Sequence, residues 1–114
     1  MTSENFINAI REVVADNSVI SVQSNLIKPP GRKPSEALVM MSEWYNKLVD
    51  GDKSMVIRII EEASRTSVFG FLCVLDGVRS IENGDKGELK LYYEKGNYKI
   101  LLNDPHNVNL HELL

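Results

Sequence analysis

The sequence predicts an α+β fold: a helical N-terminal two-thirds packed around a buried helix, with a C-terminal antiparallel β-hairpin. Three observations carry this. Residues 68–78 (Val-Phe-Gly-Phe-Leu-Cys-Val-Leu-Asp-Gly-Val) form an apolar run broken only by its glycines and Asp76. Just before it, Arg58, Glu61, Glu62 and Arg65 recur at one helical face. Residues 88–102 alternate in character on both sides of Gly96.

A length of 114 residues sets the expectation of one domain, 1–114, large enough to bury a core without metal or disulfide staples. The net charge of −3 argues against nucleic acid and anionic membrane as partners, because both demand a basic face. It suits a basic protein partner. Cys73, the sole cysteine, lies in the most apolar run and reads as a small buried hydrophobe in a reducing compartment. The first residues hold Glu4 and lack both a basic stretch and an apolar core, so no signal peptide is expected. No run reaches the roughly 18 apolar residues that a membrane span needs. A cytoplasmic protein is the resulting expectation.

The first helix should begin at Ser3, an N-cap with Glu4 in the first turn, and carry Phe6, Ile7, Ile10, Val13 and Val14 inward. Asp16-Asn17-Ser18 should stop it, since such side chains compete for backbone hydrogen bonds. Residues 19–22 (Val-Ile-Ser-Val) favour an extended segment, which could add a third strand to the hairpin. Residues 28–34, with three prolines, a glycine and three positive charges, form a loop.

Ser35 should cap the second helix, whose core face reads Leu38, Met41, Trp44, Tyr45 and Leu48. Gly51 should end it and Asp52 start the next, leaving two antiparallel neighbours. The third helix, from about Lys53 to Asp76-Gly77, is expected to kink near Gly70 and to be buried all round in its second half. Its inner line reads Val56, Ile60, Ala63, Ser67, Phe71, Val74 and Val78. The opposite, polar line continues into Phe69, Leu72 and Asp76, so it turns apolar halfway.

Residues 80–87 form a loop without the oxygen spacing of a calcium site. In the hairpin, Leu89, Leu91 and Tyr93 point one way and Lys90, Tyr92 and Glu94 the other. A turn at Lys95-Gly96 pairs Tyr93 with Tyr98; one at Gly96-Asn97 pairs Tyr93 with Ile100. Both keep the same faces together.

No phosphate loop, nucleophile elbow, dinucleotide fingerprint or His/Cys cluster occurs. Asp104, His106 and His111 are the best chemical candidates, as a carboxylate and two imidazoles bind metals or move protons. The five-residue interval does not put both histidines on one helical face, and no further ligand is near in sequence. No catalytic residue, metal or cofactor is assigned, and an enzyme is not expected. Glu61 and Glu62 read as helix-surface charges that a basic partner could meet. The hairpin's outward Tyr92 and Leu101, ringed by Lys90, Glu94 and Lys99, offer an interface, since exposed aromatics anchor partners.

Residues 69–78, then Gly87-Glu88-Leu89 through Tyr93, then Ile100-Leu101-Leu102-Asn103-Asp104-Pro105, are similar to small bacterial proteins of the immunity type. These are encoded beside polymorphic or contact-dependent toxins. The resemblance covers about the last half of the chain and contains no catalytic motif. It implies a cytoplasmic protein that binds one cognate toxin domain, often a nuclease, and blocks it. Glu61, Glu62, Tyr92, Glu94, Leu101 and Asp104 are the residues expected to touch such a partner. The alternative is a small adaptor or regulatory protein that self-associates through the hairpin edge as a homodimer.

Overall fold

The computed structural model describes residues 1–114. The fold is α+β: helices through the first two-thirds and a two-stranded antiparallel hairpin near the C-terminus. In chain order come α1 (Ser3–Ile10), a π-helical segment (Arg11–Asp16), α2 (Asn17–Ile27), α3 (Glu36–Asn46), α4 (Asp50–Leu75), β1 (Tyr92–Lys95), β2 (Tyr98–Leu101) and α5 (Leu110–Leu113). No helix is long and apolar enough to cross a membrane. The chain divides into two compact units. One joins Met1–Val14 to Thr66–Leu114, and the other is Ala15–Arg65.

In the first unit, α1 is capped one residue earlier than the sequence suggests. Thr2 accepts from the Asn5 amide and Asn5 answers to the Thr2 amide, a reciprocal capping box. Ser3 instead donates its hydroxyl to the Leu102 carbonyl at 2.8 Å. The core consists of Ile7, Leu72 and Leu110, with Phe6, Val68, Leu75, Leu113 and Leu114 packed around them. Arg11 closes this end by donating to the carbonyls of Leu113 and Leu114.

Two expectations about α4 are corrected here. Its second half is not buried all round: Leu72 and Cys73 are buried, but Phe71 is 63% exposed. The buried side is the Val68, Leu72 and Asp76 side that continues the polar line, because α1 and α5 supply Ile7 and Leu110 there. The helix also runs unbroken through Gly70, over which the Arg79 guanidinium lies. Its end is as expected. Gly77 takes φ +77°, Val78 N–H donates to the Cys73 carbonyl and Gly77 N–H to that of Val74. That pattern is a Schellman motif.

The hairpin adopts the Gly96-Asn97 turn, pairing Tyr93 with Ile100 and Tyr92 with Leu101. Gly96 supplies the positive φ, +60°, that the tight turn requires. No third strand joins it. Asn103 does the stitching instead: its carbonyl accepts from Leu91 N–H, and its amide donates to the carbonyls of Leu75 and Leu89.

In the second unit, residues 19–22 are helical, correcting the extended reading, and Asp16-Asn17-Ser18 does not interrupt the chain. Asp16 keeps right-handed helical angles and makes no side-chain cap. The π turn widens the helix and shifts the register, so Val13 and Val14 leave the predicted stripe and are exposed while Ala15 is buried. Packing overrides the β-propensity of Val19-Ile20-Ser21-Val22. Leu26 is buried, Ser42 of α3 donates to its carbonyl at 2.6 Å, and Asn46 reaches the Leu26 and Ile27 carbonyls. Those carbonyls are orphans of the α2 C-terminus, so α3 caps α2 laterally.

Ser35 caps α3 as expected, accepting from Leu38 N–H. Its inner face, however, is Leu38, Ser42 and Tyr45; Met41 and Trp44 are exposed. A five-residue stripe was too wide for one helix–helix contact, and the Leu38–Ser42–Tyr45 line took it. Gly51 lies inside the first turn of α4, without a left-handed φ, rather than ending α3. Ser42→Ala is expected to destabilise by about 1 kcal/mol, since Asn46 still serves the Leu26 carbonyl. Urea denaturation followed by circular dichroism measures it.

Candidate functional site

The first unit carries an open cleft of about 780 Å³. The C-terminal end of α4, the segment after it and the chain from Leu101 to His106 line it. The Schellman turn at Gly77 redirects the chain away from α4, and Asn103 ties the opposite wall to Leu75. The walls are therefore fixed at their bases by hydrogen bonds to backbone groups. Arg79, Lys86 and Lys90 contribute positive charge; Glu82, Glu88 and Asp104 contribute negative charge. None of these six forms an ion pair; Asp76, a further carboxylate of the lining, is held by His111, and Lys99 pairs with Glu94 on the hairpin. Glu82 and Asp104 each accept one backbone N–H, from Gly87 and His106, and keep further acceptor capacity, so both signs face the cleft. An unpaired mixture of this kind suits a protein surface or peptide better than a polyanion, which would want one sign only.

Of the residues nominated from the sequence, Leu101 and Asp104 line this cleft, and Tyr92 stands directly across the hairpin from Leu101. Lys99 lies over the Tyr92 ring at 4.4 Å and pairs with Glu94 at 3.4 Å, so these three make one exposed polar-aromatic cluster. Glu61 and Glu62 belong to the other unit, where they border a smaller groove of about 370 Å³ with Arg58, Arg65 and Asp16. Nothing brings the six nominated residues into one patch within a single unit.

Asp104, His106 and His111 do not converge. The Asp104 carboxylate accepts from the His106 backbone N–H, a local turn contact. His111 instead presents Nδ1 to Asp76 Oδ2 at 2.7 Å, with its ring edge-on to Phe69. Asp76 also accepts from the backbone N–H groups of Leu110 and His111. A carboxylate that orients an imidazole is half of a nucleophile-activating triad. Here the same carboxylate caps α5, whose Asn109 makes no side-chain cap, and that accounts for the geometry. No group of three or more His, Cys, Asp or Glu side chains is placed to hold a metal ion.

Sequence reasoning missed Arg79 and Asn103 as wall-forming residues and Asp76 as a tie to α5. A polar residue inside an apolar run was the available signal for Asp76, because a carboxylate there needs partners. No local pattern marks Asn103.

No protein-family model matches the chain, and neither a curated protein nor a solved structure shows significant similarity to it.

Proposed function

We propose that the chain is a protein-binding module of the immunity type, which seats part of a cognate toxin domain in the cleft of the first unit and so blocks it. The observation that carries the reading is the set of charges of both signs, free of ion pairs, at the cleft beside the exposed Tyr92. Tyr92 and Leu101 would supply the apolar anchor, with Arg79, Lys90 and Asp104 fixing the orientation of the bound segment. The net charge of −3, with Glu61, Glu62 and Glu94 exposed, would speed encounter with a basic toxin such as a nuclease. The module works in the cytoplasm without catalysis, cofactor, metal, nucleic acid or membrane. The alternative, an adaptor acting by self-association, draws support from the apolar outer face of α3.

Affinity capture from the source cells, then titration of the purified pair, tests the reading. A one-to-one complex with the C-terminal domain of a toxin is expected. Tyr92→Ala combined with Lys90→Glu should weaken it about tenfold or more, with unfolding unchanged. A complex indifferent to both substitutions would move the interface away from the cleft. Failure to protect cells from the toxin domain would end the immunity reading.

A further inference from the structure

The second unit carries a surface that the cleft reading leaves unused. On α3, Leu38, Ser42 and Tyr45 face inward, while Ala37, Met40, Met41 and Trp44 share the outer face. Met40 is 70% exposed, Met41 50% and Trp44 57%. Isolated exposed hydrophobes are ordinary. Four contiguous positions at helical spacing, three of them Met or Trp, types that concentrate at interface centres, are not.

We propose that this stripe is the interface of a homodimer, in which α3 packs antiparallel against α3 of a second copy about a two-fold axis. The order of side chains selects the occupant. When the helix is reversed onto itself, Ala37 stands opposite Trp44 of the second copy and Met40 opposite Met41. The smallest side chain of the stripe then meets the largest, and the flexible thioethers fill the centre. The charges follow the same symmetry. Glu36 lies at one end of α3 and Lys47 just beyond the other, so reversal brings Lys47 within a turn of Glu36 of the second copy. A parallel pairing would set Trp44 against Trp44 and Lys47 against Lys47. A self-complementary order is what an isologous contact requires, and a foreign partner would not need it.

The dimer is a weak one. On the ~150–250 Å² scale of a large apolar side chain, the three exposed residues offer roughly 350 Å² per copy. Two copies with the rim of Glu36, Glu43 and Lys47 approach the ~1,000 Å² of the smallest stable interfaces. An interface of that size belongs with weak, transient contacts, so the dimer is expected to form at about micromolar concentrations or above.

Trp44 is the only tryptophan, so its emission reads this surface alone. Sedimentation velocity on the full chain, from about one to several hundred micromolar, should show a monomer–dimer transition. Trp44 emission should shift to the blue over the same range. Met40→Glu should raise the dissociation constant about tenfold or more while leaving the far-ultraviolet circular dichroism unchanged, since Met40 makes little of the fold. Lys47→Glu should weaken the dimer, and adding Glu36→Lys should restore part of it, which only the antiparallel order permits. A chain that stays monomeric with solvent-exposed Trp44 emission throughout would overturn the proposal. A dimer that survives Met40→Glu but is lost when the hairpin edge is blocked would overturn it equally.

Discussion

Replacing Asp76 by alanine is expected to destabilise the protein by about 2–4 kcal/mol, the largest effect of any single polar substitution here. The Asp76 side chain is only 2% exposed and accepts three hydrogen bonds, from Leu110 N–H at 3.1 Å, His111 N–H at 2.9 Å and His111 Nδ1 at 2.7 Å. Removing it leaves two backbone donors of a four-residue helix that has no side-chain cap of its own. A helix so short does not persist alone. The loss then spreads, because α5 delivers the fully buried Leu110 to Ile7 and Leu72. Asp76→Asn keeps one acceptor oxygen and should fall between alanine and wild type. His111→Ala removes one bond and should cost less than half as much. The double variant Asp76→Ala/His111→Ala should cost less than the sum of the two, as the pair shares a contact. Urea denaturation gives the free energies, and amide hydrogen exchange at Leu110 locates the damage. If Asp76→Ala cost less than about 0.5 kcal/mol, the capping account of α5 would be wrong.

Asn103→Leu is expected to cost about 2–3 kcal/mol and to loosen the hairpin selectively. The side chain makes three hydrogen bonds, all to backbone, using both its donors: Leu91 N–H at 2.8 Å, and the carbonyls of Leu75 and Leu89 at 2.7 Å each. The first two contacts are partly buried and the third is exposed, so water can replace the third and the cost comes mainly from the others. A two-stranded hairpin is marginal by itself. Asn103 joins it to the end of α4, with Leu102 N–H donating to the Leu91 carbonyl beside it. Asn103→Asp separates the contributions, since it retains the acceptor for Leu91 and loses both donors. Faster exchange at the Leu91 and Leu102 amides, with exchange in α2 and α3 unchanged, is the expected signature. A uniform rise in exchange across the chain would argue for global destabilisation instead.

The features legible in the sequence were those whose cause lies within a few residues. Ser35 caps α3 because its hydroxyl and the Leu38 amide are three positions apart. Gly77 ends α4 because a left-handed residue is needed there and only glycine takes it freely. The hairpin and its strand faces followed from period-two alternation on either side of Gly96, and the open choice was merely which of two turns formed. Of the proposed contact residues, Tyr92 and Leu101 came out as cross-strand neighbours for the same local reason.

What tertiary structure decided was everything that depends on which neighbour arrives. Residues 19–22 have strand propensity, yet α3 offers Ser42 and Asn46 to the carbonyls at the end of α2, and helix wins. Trp44 and Phe71, both expected inside, are exposed. Periodicity says that a helix has faces, not which face a partner will cover. Asp76 met α5 and Asn103 met α4 across gaps of 28 or more positions, and no pattern in a single chain records such a meeting. The sequence by itself determined the α+β class, the Ser35 and Gly77 caps and the hairpin, because short-range sterics and hydrogen bonding set them. The buried face of α4, the exposed stripe of α3 and the charged cleft were decided only in three dimensions, by long-range contacts whose energies outweigh local preference.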